Sequence, residues 1–175
     1  KDYCAPAAGV ADEVDCHLAE ARAWVEAFAP ELIVAIGPDH YNGFFYQLMP
    51  SFCVGTAVES VGDWNTPAGP LPVDGERAEA CVVALQNAGV DVAISHRMEI
   101  DHGFTQLLNQ MFGWSELPPL IPLFVNCAAA PLPPMHRVQA LGDALGQFLA
   151  KQSCRVLITA SGGLSHDPPI PQLRA

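Results

Sequence analysis

Three of the six histidines follow apolar, β-branched segments of the kind that form short buried strands. These histidines are His40, His102 and His166, and the segments before them are residues 32–36, 90–95 and 155–160. Because ligands of open α/β sheets bind beyond the carboxyl ends of the strands, the spacing predicts that three loops bring these side chains to one edge of a sheet. Imidazole can bind a metal ion or transfer a proton near neutral pH. The pattern therefore favours a metal or acid–base site, with a loop or helix-capping role as the alternative for each histidine.

Two aspartates, Asp39 and Asp101, immediately precede two of these histidines. Neighbouring residues on an extended chain point to opposite sides, so neither carboxylate needs to contact the histidine next to it. Each could accept a hydrogen bond from another site residue or cap a following helix, and we expect Asp101 to be a helix N-cap. A surface position is predicted for the three remaining histidines, which are His17, His96 and His136.

Other reactive side chains carry weaker signals. Cys53 and Cys127 could serve as nucleophiles beside a histidine, but nothing near them in the sequence would lower a thiol pKa. The glycine-rich segment 161–166 lacks the spacing of nucleotide-binding loops and of the nucleophile elbow, so its glycines are expected to allow close approach of a ligand. An aromatic run after His40 either lines a pocket for a planar organic substrate or packs the loop onto the core. Its members are Tyr41, Phe44, Phe45 and Tyr46.

The scaffold for these residues is predicted from hydrophobic periodicity. Helices are predicted over residues 11–28, 74–88, 104–113 and 135–151, and strands over residues 32–36, 90–95, 120–126 and 155–160. The irregular segment 41–73 is expected to be a long functional loop or a hairpin insertion. Strands that alternate with helices predict an α/β fold, with a mainly parallel sheet flanked by helices.

Composition limits the class of protein and its partners. With 175 residues, half of them apolar and 15% charged, the chain can bury the core of one domain. Its formal net charge of −11 argues against nucleic acid and anionic membrane surfaces as partners. No apolar run approaches the length of a membrane span. The six cysteines form no C-x-x-C pair, so we expect reduced thiols and a cytoplasmic location.

Four motifs at compatible spacings resemble the class III extradiol catechol dioxygenases. They are residues 38–46 (PDHYNGFFY), 49–53 (MPSFC), 101–104 (DHGF) and 161–166 (SGGLSH). The resemblance runs from about residue 11 to the end of the chain, and it is closest to members that act on 2,3-dihydroxyphenylpropionate and 2,3-dihydroxycinnamate. It implies the α/β fold of the family and a catechol and O2 as small-molecule partners, and we also expect a homo-oligomer.

The resemblance also implies roles for the three histidines. By matching motif, His40 would be an iron ligand, His102 the proton donor, and His166 the proton acceptor that deprotonates the catechol. The implied cofactor is Fe(II), which the family holds with two histidines and one carboxylate. The other histidine and the carboxylate of that set correspond to positions before residue 1 and after Ala175. We therefore expect residues 1–175 to be a single α/β catalytic domain that is part of a longer chain.

Two other functions remain open at the level of the sequence. A non-catalytic relative of the same fold would keep the histidine pocket for binding or signalling, although it would not need two acid–base histidines. A metal-dependent hydrolase would use zinc and would act on esters or amides without O2, and no motif in the sequence supports it.

Overall fold

The structure is a computed structural model, and it describes residues 9–162 of the chain. The α-helices of this part are α1 (Val10–Phe28), α2 (Gly75–Asn87), α3 (His102–Phe112) and α4 (Met135–Leu149). Its strands are β1 (Leu32–Gly37), β2 (Phe52–Gly55), β3 (Val58–Ser60), β4 (Gly69–Pro70), β5 (Ala93–Ser95), β6 (Met98–Ile100), β7 (Leu120–Val125) and β8 (Val156–Ala160). Within residues 9–162, no helix has the length and apolarity that crossing a membrane requires.

Local capping explains where two of the predicted helices begin. Helix α2 follows Asp74, whose side chain accepts the backbone N–H of Arg77. Helix α3 follows Asp101, whose side chain accepts the backbone N–H of Gly103. These bonds satisfy first-turn N–H groups that have no partner within a helix. The predicted cap at Asp101 is confirmed, and it makes His102 the first residue of α3, two positions earlier than the periodicity indicated.

The strands form two sheets, and the larger one is mixed but mostly parallel. Its five strands lie in the order β5-β2-β7-β1-β8. Strand β1 pairs in parallel with β7 and β8, β2 pairs in parallel with β5, and β2 runs antiparallel to β7. A second sheet has the order β4-β3-β6. With helices packed against the strands, this is the predicted α/β fold with a mainly parallel sheet.

One expectation about the strands is wrong. The sequence pattern predicts that the segment 90–95 runs parallel to β1 and delivers His102 to the carboxyl edge of the sheet. The strand in this segment, β5, instead pairs with β2, which is antiparallel to β7, so its carboxyl end lies at the opposite edge. The chain turns back through β6, which pairs with β3 in the second sheet, and β6 leads directly to Asp101 and His102.

The segment 41–73 contains more regular structure than a loop. It includes the antiparallel pair β3 and β4, as expected for a hairpin insertion, but it also contains β2, a fully buried strand of the main sheet. Its four residues are too short a run to show a period, and a turn-forming serine and glycine border the apolar part.

The hydrophobic core covers both faces of the main sheet. On one face, alternate residues of β1 such as Leu32 and Val34 pack with apolar residues of α2 and α4. On the other face, Ile33 and Ala35 pack with β6 and α3, including Phe104. A strand buried on both faces reads as a continuous apolar run, which is why β1 was predictable from its sequence.

Candidate metal and acid–base site

The carboxyl end of β1 carries the first site residue, His40. Helix α3 lies close against this end, since a Cβ atom on Gly37 would be only 2.8 Å from the ring of Phe104. The following loop is folded around the buried carboxylate of Asp39, which accepts backbone N–H bonds from Asn42, Gly43 and Phe44. Burial raises the pKa of Asp39, although these three bonds act in the opposite direction. Asp39 therefore shapes the loop that holds His40.

Asp101 joins this loop to the start of α3. Its carboxylate is fully buried, with 0% exposure. One oxygen, Oδ1, accepts the N–H of Gly103 at 2.8 Å. The other, Oδ2, accepts the backbone N–H of His40 at 2.8 Å and the side-chain amide of Asn42 at 2.9 Å, and it lies 3.1 Å from Nδ1 of His40. Burial alone would raise the pKa of Asp101, but the hydrogen bonds from Asn42, Gly103 and His40 lower it overall.

His102 is held by a different carboxylate. The backbone N–H of His102 donates to Oδ1 of Asp63 at 2.8 Å, and Nδ1 of its ring lies 2.6 Å from Oδ2 of the same residue. The ring of Trp64 lies next to the imidazole, with centroids 5.4 Å apart. His102 and Asp63 are both partly exposed, at 22% and 23% of their side-chain surfaces.

The two imidazole rings stack on each other. Their centroids are 4.3 Å apart and their planes differ by 16°. Each ring has its own carboxylate at Nδ1, Asp101 for His40 and Asp63 for His102. The edge of the sheet therefore carries two adjacent histidine–aspartate pairs.

These residues fit a metal ion. Ligand atoms of His40, Asp101 and His102 all lie within 4.8 Å of one another. A metal-binding histidine typically directs its second ring nitrogen to a carboxylate, as His40 does to Asp101. Because both oxygens of Asp101 already contact hydrogen-bond donors, its chemistry suits an orienting partner of His40 better than a ligand.

Comparison with known proteins decides the family. A family model described as the catalytic LigB subunit of aromatic ring-opening dioxygenase matches residues 5–175. The chain belongs to this family. This agrees with the resemblance to extradiol dioxygenases carried by the four motifs.

Named relatives of this LigB-family chain are highly similar to it. It is 54% identical over 168 residues to the 2,3-dihydroxyphenylpropionate/2,3-dihydroxicinnamic acid 1,2-dioxygenase of Mycolicibacterium smegmatis. It is 50% identical over 171 residues to a protein of that name from Pseudomonas putida, and 50% identical over 168 residues to one from Klebsiella pneumoniae. The matches cover 96%, 98% and 96% of this chain and 54% of each relative. The chain thus spans about half the length of the curated relatives it matches.

The structure brings two of the three predicted site histidines of the LigB-family chain together. His40 and His102 are in contact, whereas His166 lies outside the described residues. Near the end of the described part, the N–H of Ser161 donates to the carbonyl of Ile36, so the chain after β8 leaves from the same edge as the chain after β1. The remaining histidines are exposed, as predicted; they are His17, His96 and His136.

The other candidates separate into packing residues and surface residues. Phe44 packs on Phe124 of the core, with centroids 4.4 Å apart, while Phe45 and Tyr46 are exposed. For Phe44 the packing interpretation is therefore the better one. Burial raises the pKa of Cys53 to about 12 and also raises that of Cys127, which is the opposite of what a thiolate nucleophile needs.

Asp63 is the site residue that the sequence did not indicate. It lies in the irregular segment between β3 and β4, 39 residues before its partner His102. No motif or periodicity marks it, because the contact depends on the pairing of β3 with β6.

Proposed function

We propose that the protein is an Fe(II)-dependent extradiol dioxygenase that opens the ring of 2,3-dihydroxyphenylpropionate or 2,3-dihydroxycinnamate with O2. The observation that carries the proposal is the stacked pair His40 and His102, each with its own carboxylate, in a chain of an aromatic ring-opening dioxygenase family. The substrates are those in the names of the similar relatives.

His40 is the proposed iron ligand. Its backbone N–H and its Nδ1 both contact the fully buried Asp101, so the ring has a defined position before a metal binds. Asp101 is in turn fixed by Asn42 and by the first turn of α3. Bound iron would supply a centre that holds the catechol and activates O2, with open positions for both.

His102 is the proposed proton donor. Its ring is stacked on the ring of His40, so it lies next to the proposed metal ligand. Imidazole is suited to this task because its ordinary pKa lies near the working pH. The matching motif assigns the complementary role, removal of a proton from the catechol, to His166, which lies outside the described residues.

The reaction needs no external reductant. The bond between a hydroxyl-bearing ring carbon and its unhydroxylated neighbour breaks, both oxygen atoms of O2 enter the product, and the catechol supplies the electrons. The partners are then the catechol and O2. The homo-oligomer and the cytoplasmic location remain predictions.

Oxygen uptake tests the proposal. The full-length gene product is loaded anaerobically with Fe(II), given 2,3-dihydroxyphenylpropionate, and followed with an oxygen electrode and by visible absorbance. We expect one O2 consumed per catechol and a yellow ring-opened product. Phenylpropionate, which lacks both hydroxyls, is the matched control and should cause no uptake. No uptake with either compound, despite bound iron and an intact fold, would refute the proposed function.

A further inference from the structure

Asp63 contacts His102 at two points, and no motif assigns it a role. Its two carboxylate oxygens bind different groups of the same residue: Oδ1 accepts the backbone N–H at 2.8 Å, and Oδ2 lies 2.6 Å from Nδ1 of the ring. The first bond holds the backbone of His102 in place at the start of α3. The second fixes how the ring is rotated about its side-chain bonds.

The turn that carries Asp63 is itself held in place. Before it, the N–H of Val61 donates to the carbonyl of Ile100 and so extends the pairing of β3 with β6. After it, the N–H and the hydroxyl of Thr66 both donate to the carbonyl of Asp63, at 2.9 and 2.7 Å. The buried Thr66 hydroxyl also lies 3.0 Å from that of Thr105 in α3. Asp63 is thus anchored to the same helix that begins with His102.

This geometry sets the tautomer of the imidazole. The oxygen of a carboxylate accepts hydrogen bonds, so a ring nitrogen 2.6 Å from it must carry a hydrogen. With Nδ1–H committed to Asp63, the ring takes up and releases a proton only at Nε2, so it donates to a substrate from the doubly protonated form, in which both ring nitrogens carry hydrogen. A carboxylate that orients a catalytic imidazole in this way acts through the histidine rather than on the substrate.

We propose that Asp63 is the positioning residue of His102: it fixes the rotation and the tautomer of the ring so that Nε2 is the atom that transfers the proton. The inference rests on the proposed function for the role of His102 as proton donor. The pairing and the tautomer rest on the geometry of Asp63 alone.

Asp63→Asn separates positioning from helix capping. The asparagine has only one acceptor oxygen. The backbone N–H of His102 can only donate, whereas Nδ1 of the ring can either donate or accept. The amide oxygen therefore stays with the backbone, and the amide NH2 faces Nδ1, which favours the tautomer with the hydrogen on Nε2. Asp63→Ala removes both contacts. Asp91→Asn is the matched control, because Asp91 is an almost fully exposed aspartate.

The experiment has one readout that does not depend on turnover. In the full-length protein labelled with ¹⁵N-histidine, before iron loading and at a pH high enough for the ring to be neutral, the ¹⁵N shifts of the His102 ring should show hydrogen on Nδ1 in the wild type and on Nε2 in Asp63→Asn. In the iron-loaded enzyme, kcat should fall on the order of 10- to 100-fold in Asp63→Asn, with KM and iron content within about twofold of the wild type. Asp91→Asn should change none of these values.

Three results would overturn the inference. An unchanged His102 tautomer in Asp63→Asn would show that Asp63 does not set it. An unchanged kcat would show that the pairing does not serve the reaction. If activity is lost only because the variant is less stable, as shown by its melting temperature, Asp63 acts as a helix cap and not as a positioning residue. If the wild type consumes no O2, the proposed function fails, and the tautomer measurement still decides whether Asp63 holds the ring.

Discussion

Replacing Asp101 with asparagine is expected to lower the free energy of unfolding by about 2–4 kcal/mol. The carboxylate contacts donors on both oxygens, and asparagine keeps only one acceptor. The better orientation leaves the amide oxygen with His40 and Asn42 and turns the NH2 group toward the N–H of Gly103. This loses a helix cap worth about 1 kcal/mol. It also buries an unpaired donor, at about 1–3 kcal/mol, in a position with no access to water.

Urea unfolding followed by tryptophan fluorescence measures this difference. A loss of about 3 kcal/mol corresponds to roughly 6–12 °C in Tm for a domain of this size. Asp74→Asn is the matched control, because Asp74 also caps a helix but is partly exposed. Asparagine is as good an N-cap as aspartate, so this variant should change stability by less than about 1 kcal/mol. If the two substitutions lower the free energy of unfolding equally, the loss comes from the helix cap and not from the buried hydrogen bonds of Asp101.

The stability difference between the wild type and Asp101→Asn should become smaller in acid. Although burial alone would raise it, the pKa of Asp101 is lower in the folded state than its ordinary value of 3.8. A lowered pKa contributes stability above the unfolded-state pKa, and that stability is lost as the pH falls through the folded-state value. The difference in free energy of unfolding between the wild type and Asp101→Asn should therefore be constant near neutral pH and should become smaller below about pH 4. A gap that is as large at pH 3 as at pH 7 would contradict this assignment.

Two further predictions concern packing. Gly43→Ala should destabilise the fold by about 1–3 kcal/mol and lower iron content, because its Cβ would overlap the carbonyl oxygen of Glu99. Gly142→Ala, whose Cβ meets no atom within 4 Å, should not destabilise the fold in the same unfolding assay. The thiols of Cys53 and Cys81, whose pKa values burial raises to about 12, should react with a thiol reagent at pH 8 only after unfolding. Rapid labelling of either thiol in the native protein, found by peptide mass spectrometry, would contradict the buried position of that side chain.

The parts of the fold that local physics determines were predictable from the sequence. The apolar run of β1 and the capped start of α2 are encoded by neighbouring residues, and the predicted segments agree with the structure to within one or two positions. The direction of β5 was not predictable in this way. Whether a short strand pairs in parallel or antiparallel depends on partners distant in the sequence, here β2 and β7.

The candidate site shows the same division. His40 was identifiable because it follows a predicted strand and belongs to a motif, and His102 because it belongs to a motif; the structure places their rings in contact. Asp101 could be predicted as a helix cap, but its contact with His40 spans 61 residues and appears only in the folded chain. Asp63 had no local signal at all. Residues that orient other residues are harder to find from a single sequence than the residues they orient.

Paired substitution tests whether His40 holds the metal and whether His102 moves a proton. Iron content and ring opening are measured together in full-length His40→Ala and in His102→Phe, which keeps an aromatic ring next to His40. We expect His40→Ala to lose both iron and activity. We expect His102→Phe to keep its iron and to lose kcat by roughly 10²- to 10⁴-fold, the usual contribution of acid–base catalysis. Full iron content in His40→Ala, or loss of iron in His102→Phe, would contradict the assignment.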